Sequence, residues 1–277
     1  MAGRIVAGVD GSAAATAAVG WAVADARRRG LALRLVHVCG WASHTGGADY
    51  CEEALKAAAD TARRLAPELD VSTDLFAGEM IAGLVGESAT ADSVVVGSRG
   101  LGGFAGLVLG STGLALAGHA AGPVVVVRQD AEEGHGEIVV GYDGSEHSDA
   151  AMDYAVQQAR ARGVQLKAIY AWPPPVLGPY AAAYRILDDD FEEAARAATQ
   201  QVLPWREKNP DVRIVDEQVR DHPAAALIKA AATADLLVVG SRGLGGFASA
   251  VLGSVSHAVL HHVTCPVAVV RPRQAQG

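Results

Sequence analysis

The chain has little cysteine, few aromatics and no excess of basic charge. Its three cysteines, Cys39, Cys51 and Cys265, are odd in number and lack CxxC spacing, which argues against a disulfide framework and against a zinc site. They read as small hydrophobes in a reducing compartment, and the expected location is the cytoplasm. Apolar stretches long enough to span a bilayer are missing, so no membrane partner is expected. The opening residues, MAGRIVAGVDGS, are too short in their apolar run for an export signal and show no cleavage pattern. Net charge is -8. Residues 1–128 carry ten basic and twelve acidic side chains, and residues 137–277 carry thirteen and sixteen. Neither half offers the basic surface that nucleic-acid binding requires.

What the chain has in quantity is small apolar residues, and it has them twice. The segment RIVAGVDGS at positions 4–12 returns as EIVVGYDGS at 137–145, and residues 91–111 return almost unchanged at 234–254. A repeat of that length is a domain duplication rather than a solenoid. The polar segment 129–136 between the copies reads as a linker, giving domains at 1–128 and 137–272.

Each copy alternates strand and helix. Residues 4–9 form a short apolar run followed by a Gly/Asp/Ser turn. Ser12 suits a helix N-cap, and the Arg27–Arg29 cluster before Gly30 suits a helix end. Ser145 and Gly163 repeat these signals. Further strands are expected at 33–38, 71–76, 93–96 and 124–128, and in the second copy at 166–171, 212–219, 236–239 and 267–271. Helices are expected at 48–65, 80–90, 187–207 and 223–233. Strands separated by crossover helices imply an α/β fold with a parallel sheet and helices on both faces.

The segment with chemical content is the glycine-rich stretch 97–112 and its counterpart 240–255. Glycine lets backbone N–H groups approach an anion, and a following helix N-terminus adds a favourable dipole. Neither copy has an acidic residue from this loop to the end of its last strand, and Arg99 and Arg242 are the strong cations within the loops. A P-loop is excluded because neither loop contains lysine. Gly100, Gly102 and Ala105 match the GxGxxA dinucleotide fingerprint, as do Gly243, Gly245 and Ala248. That match is accidental, because the fingerprint belongs to the first strand–helix turn with an acid about 20 residues later.

The spacing Gly97-x2-Gly100-x9-Gly110-Ser111 recurs as Gly240-x2-Gly243-x9-Gly253-Ser254. With the GxDGS of each first strand and the closing Pro-Val-x-Val-Val-Arg, it resembles the ATP-binding class of the universal stress protein family over nearly the whole chain. The resemblance implies two tandem domains, each an open five-stranded parallel sheet with helices on both faces (adenine nucleotide alpha hydrolase-like). It implies ATP, with or without Mg²⁺, across the carboxyl ends of the strands. Adenine and ribose would lie near Gly8, Val9, Asp10 and Val38 in copy one, and near Gly141, Tyr142, Asp143 and Ala171 in copy two. Phosphates and ribose would meet Gly97, Gly100, Gly110, Ser111 and Thr112, and then Gly240, Gly243, Gly253, Ser254, Val255 and Ser256. Arg99 and Arg242 are added as phosphate partners on their charge.

Single-domain relatives pair through their last strands, so the resemblance also implies that residues 124–128 and 267–271 pair within one molecule. A further homodimer stays open. The leading functional expectation is a nucleotide-dependent sensor or regulator of the stress response. The alternatives are a slow ATPase or nucleotidyl-transfer enzyme, in which Asp10 and Asp143 hold Mg²⁺ or orient water, and a scaffold whose glycines serve only a tight crossover. Several features read as structural. His261 and His262 suit a helix C-terminus, Trp21 suits the core, Asp188–Asp190 suit a helix start, and His37 lies beside the expected cleft.

Overall fold

The computed structural model describes residues 3–39, 47–100, 109–128, 134–172, 184–244 and 251–273; for 47–48 and 184–191 this extends to the backbone alone. The remainder of the linker, the fingerprint positions Gly102, Ala105, Gly245 and Ala248, and the side chains of Asp188–Asp190 lie outside the described residues.

Copy one runs β1 (Arg4–Gly8), α1 (Ala13–Arg29), β2 (Ala32–Cys39), α2 (Gly47–Leu65), β3 (Val71–Ala77), α3 (Met80–Ser88), β4 (Ser93–Gly97), α4 (Ser111–His119) and β5 (Val124–Val127). Copy two runs β6 (Glu137–Gly141), α5 (Glu146–Arg162), β7 (Gln165–Ala171), α6 (Tyr184–Lys208), β8 (Ile214–Val219), α7 (Pro223–Ala231), β9 (Leu236–Gly240), α8 (Ser254–His262) and β10 (Val267–Val270). The helix signals act as their chemistry dictates. Ser12 and Ser145 each accept a hydrogen bond from the backbone N–H three residues on, at 3.1 and 3.2 Å, and Gly30 and Gly163 end their helices at φ 64° and 66°.

The strands form one ten-stranded sheet in the order β3-β2-β1-β4-β5-β10-β9-β6-β7-β8. Within each half the five strands are parallel, and the halves meet where β5 and β10 pair antiparallel, Val126 opposite Val267 and Val124 opposite Val269. The two edges expected to meet therefore do so, which removes two exposed strand edges. Apolar layers cover both faces and run across the junction without a break, one under α1, α2, α5 and α6, the other under α3, α4, α7 and α8. The arginines that close each copy brace this junction. Arg128 donates to the Leu260 carbonyl at 2.5 Å, and Arg271 donates to the carbonyls of Gly118 and Val251; Leu260 and Gly118 lie in the last turns of α8 and α4, where cations satisfy free carbonyls well.

A polar network crosses the same junction between α1 and α5. Asp25 is fully buried. It accepts from Arg29 at 3.3 Å and from Gln158 at 3.1 Å, with Arg162 3.9 Å away. Arg29 also grips Asp92 with two hydrogen bonds, at 2.6 and 2.8 Å, and lies over the Tyr154 ring, while Arg162 lies over Trp21. Positions 25 and 158 are equivalent in the two copies, so the Asp–Gln pair sits at the pseudo-twofold axis, where a symmetric pair of carboxylates would repel.

The tail of the linker is anchored by Asp235. Its carboxylate accepts from the backbone N–H groups of Gly134, His135 and Gly136 at 2.8, 2.8 and 3.0 Å. Burial pushes its pKa up, but these three donors and the nearby His135 ring outweigh that and hold it below the usual carboxylate range. Asp235→Asn is expected to cost about 2 kcal/mol in urea unfolding near neutrality. A carboxylate depressed in the folded state stabilises above its unfolded pKa of about 3.9. The difference between the two proteins should therefore hold from neutrality down to about pH 4 and shrink as pH falls through the folded pKa. A difference that stays constant as pH falls from about 4 through the folded pKa would contradict the assignment.

The cysteine reading is corrected. Cys39, at the end of β2, and Cys51, in α2, are joined by a disulfide with Cα atoms 6.2 Å apart, and Cys265 alone is free and buried. Odd number and missing CxxC spacing say nothing about two residues that a strand end and a helix start bring together. Cysteine usage therefore no longer argues for a reducing compartment. Among the described residues no helix is long and apolar enough to cross a membrane.

Candidate functional site

Strand order reverses between β1 and β4, since the chain leaves β1 for β2 on one side and returns to β4 on the other. Loops after the carboxyl ends of two such strands diverge and leave a crevice. In domain 1 this crevice is lined by Gly8, Val9, Asp10, Val36, Val38, Met80, Gly97, Arg99, Gly100 and Thr112 among others. Its enclosed inner part is narrow, about 50 Å³. A larger open groove of about 760 Å³ lies at the other end of the strands, around Arg27, Arg28, Leu31 and Glu68. That end is the amino end of β2, where a parallel sheet offers no diverging loops.

The GxDGS turn is shaped by close approaches. Gly11 and Gly144 adopt φ 84° and 78°, and a Cβ on either would lie 2.5 Å from the Tyr50 hydroxyl or 2.6 Å from Gln201 Oε1. Asp10 accepts the Ser12 N–H at 2.9 Å. Asp143 accepts the Ser145 N–H and hydroxyl, at 3.1 and 2.6 Å, and the Leu244 N–H at 3.0 Å. Both carboxylates thus face the glycine-rich loops.

The spaced glycines divide by role. A Cβ on Gly97 would lie 2.6 Å from the backbone carbon of Ala14, and one on Gly240 2.8 Å from that of His147. The first glycine of each motif therefore lets a helix N-terminus press on the strand end. A Cβ on Gly100 or Gly243 would lie 2.5 Å from Oδ2 of Asp10 or Asp143, so the second makes room for the carboxylate. Gly110 differs, because its nearest neighbour would be 3.5 Å away. Gly253 is somewhat tighter at 3.3 Å.

Gly110 and Gly253 are the N-caps of α4 and α8, and neither helix has a side-chain cap. The same chain caps α1 and α5 with serine. The first N–H groups of α4 and α8 are thus left for another acceptor, with the helix dipole behind them. Ser111 and Ser254 are exposed at these ends, Thr112 is half-buried beside Met80, and Arg99 is exposed.

Domain 2 departs from domain 1 at several positions. Val255 packs into the apolar layer, and the buried Ser256 hydroxyl donates to the Gly240 carbonyl at 2.6 Å, so Ser256 faces inward rather than toward a ligand. Tyr142 and Val9 put their side chains into the core layer under the helices. Tyr142 donates to Asp149 at 2.9 Å, and burial pushes its pKa up to about 12. Ala171 packs against the opposite layer, the one that also holds Val38. Arg242 donates to His147 Nε2 at 3.2 Å, and the other ring nitrogen meets Ser241 at 3.0 Å. Burial, followed by Arg242 and Arg271, lowers the His147 pKa and favours the neutral ring that such an acceptor needs.

Sequence reasoning missed Tyr50, whose hydroxyl donates to the Asp10 carbonyl at 2.9 Å, and His147. Neither carries a spacing signal, since Tyr50 reaches the GxDGS turn and His147 the start of the glycine-rich loop only through the packing of α2 and α5 on the sheet. The histidines read as structural behave so. His262 contacts the Ala258 carbonyl at 2.8 Å, and the His261 ring lies 4.6 Å from that of His257, tilted by 40°.

The sequence profile described as "Universal stress protein family" matches residues 1–128 and 135–271. A universal stress protein of Mycolicibacterium smegmatis is 35% identical over 292 residues, covering 97% of this chain and 97% of that protein. One from Mycobacterium tuberculosis is 35% identical over 302 residues, covering 96% and 94%. In fold, the chain is similar to the crystal structure of a universal stress protein from Archaeoglobus fulgidus, with a TM-score of 0.69, 18% identity, and coverage of 99% and 97%. Matched in both halves by the family profile and along nearly its whole length by these relatives, the chain belongs to the universal stress protein family.

Proposed function

We propose that each domain binds an adenine nucleotide, ATP with or without Mg²⁺, and that the protein acts as a nucleotide-dependent sensor or regulator. The observation that carries this reading is the pair of glycine-capped helix N-termini, α4 and α8, at the strand-order reversal. They are the two helices that open from the glycine-rich loops, and both leave their N–H groups without a side-chain cap. A triphosphate supplies the missing acceptors and the negative charge that suits the dipole, and Arg99 and Arg242 add cations on the same side. Val36 and Val38 offer an apolar wall to the base. The enclosed space is narrow, so Met80, flexible and 37% exposed at the lip, is the side chain that gives way.

Binding fits the site better than turnover. Hydrolysis needs a positioned base and charge stabilisation beyond the binding cradle. Asp143 already accepts three hydrogen bonds from Ser145 and Leu244, so it orders the turn. Among the described residues lining the domain 1 cleft, Asp10 is the one carboxylate. Bound Mg²⁺ would neutralise phosphate charge, and Asp10 is the residue placed to meet it.

Denaturing the purified protein and identifying the released small molecules by mass spectrometry should yield adenine nucleotide, approaching one per domain. Gly110→Ala should weaken calorimetric ATP affinity in domain 1 by tenfold or more, about 1.4 kcal/mol, with an unchanged circular dichroism spectrum. Wild-type affinity in that variant would remove Gly110 from the site. An empty extract with no heat on adding ATP would overturn the reading for both domains.

A further inference from the structure

On β2, His37 and Cys39 are two residues apart and share one face, the face covered by α2. Val36 and Val38 point the other way, into the cleft described above. Cys51 faces the sheet from α2, along the same helix stripe as the buried Leu55, Ala59 and Ala62. The two sulfurs and a ring nitrogen of His37 all lie within 4.8 Å of one another.

Two further observations point to a ligand rather than to a disulfide alone. His37 is 5% exposed, and its Nδ1 has no hydrogen-bond partner. Nδ1 is therefore the ring nitrogen open to a further partner. A buried polar atom without a partner is costly, and the disulfide does not relieve it. The fold does not demand these residues either. The equivalent positions of β7 and the residue beyond it are Tyr170 and Trp172, and copy two has no cysteine before Cys265.

We propose that, when the Cys39–Cys51 bond is reduced, His37 Nδ1, Cys39 Sγ and Cys51 Sγ bind one thiophilic metal ion, with Zn²⁺ as the reference ion. Two thiolates and an imidazole are a donor set for tetrahedral zinc, leaving the fourth position to water or an added donor. Reduction by a dithiol takes two electrons and two protons, giving two thiols while the reductant becomes a disulfide. Metal binding then releases both thiol protons. With Zn–S bonds of about 2.3 Å the sulfurs stand about 3.7 Å apart, so disulfide and metal exclude each other. The metal site exists in the reduced chain alone.

The test uses the full chain, reduced, freed of reductant under anaerobic conditions, and titrated with Co²⁺ alone. The expected result is saturation at one ion per chain with a thiolate-to-cobalt charge-transfer band and the intense visible bands of tetrahedral cobalt. Zn²⁺ should displace the cobalt, and the oxidised chain should show no such band. In alkylation mapped by mass spectrometry, Zn²⁺ should protect Cys39 and Cys51 while leaving Cys265 unchanged. Cys51→Ser should abolish the charge-transfer band, and His37→Gln should weaken binding more than tenfold, with circular dichroism confirming that each variant folds. Absence of the band in the reduced chain, or unprotected Cys39 and Cys51, would overturn the site even if the variants misfold. Full affinity in folded His37→Gln would overturn it too.

Discussion

Asp25→Ala is expected to destabilise the docked pair of domains by about 3–5 kcal/mol and lower the melting temperature by roughly 10 °C. Asp25 has no solvent exposure, and its carboxylate sits among Arg29, Gln158 and, farther off, Arg162. Alanine removes the one negative charge at the centre of that group. Arg29 keeps Asp92 and Arg162 keeps Trp21, but Arg162 and Gln158 lose the carboxylate they face on the other domain. Asp25→Asn keeps the shape and one acceptor, so it should lose less. Calorimetric unfolding of both variants beside the parent decides the matter. A melting temperature unchanged in Asp25→Ala would mean that the apolar layers and the β5–β10 pairing hold the junction without this network.

Gly97→Ala and Gly110→Ala should behave differently although both alter the same glycine motif. A methyl at position 97 would stand 2.6 Å from the Ala14 backbone carbon and 2.7 Å from its carbonyl oxygen, and backbone atoms have nowhere to turn. The strand end and the first turn of α1 must separate, a strain of about 1–3 kcal/mol that also shifts the Ser12 cap and Asp10 beside it. Stability and nucleotide affinity should therefore fall together. At position 110 the methyl meets ordinary contact distances at φ -80° and ψ 157°, a conformation any residue adopts. There affinity should fall while urea unfolding stays within about 0.5 kcal/mol of the parent. Equal loss of stability in both variants would show that the third glycine also serves the fold alone.

Much of the molecule was legible in the sequence because its signals are local. Ser12, Ser145, Gly30 and Gly163 mark helix ends through chemistry confined to one turn, and short valine-rich runs mark buried parallel strands. The duplication gave each signal a second reading. The edge pairing of β5 with β10 followed from the family resemblance. The glycine spacing located the loops, but it could not separate Gly97, which a neighbouring backbone requires, from Gly110, which no neighbour crowds. Its place after the motif puts Ser256 among the expected ligand contacts, whereas its hydroxyl turns in to the Gly240 carbonyl.

The sequence by itself determined the two-domain α/β plan, the helix and strand boundaries to within a few residues, and the positions of the two glycine-rich loops. Tertiary structure decided which side chains meet. Cys39 with Cys51, Asp25 with Gln158, Tyr50 with Asp10 and His147 with Arg242 come from different elements. Their approach depends on how helices sit on the sheet and how one domain turns onto the other. Periodicity fixes which face of an element is buried, but not which residue of a neighbouring element lies opposite. For that reason the disulfide, the network across the junction and the proposed metal site are properties of the folded chain.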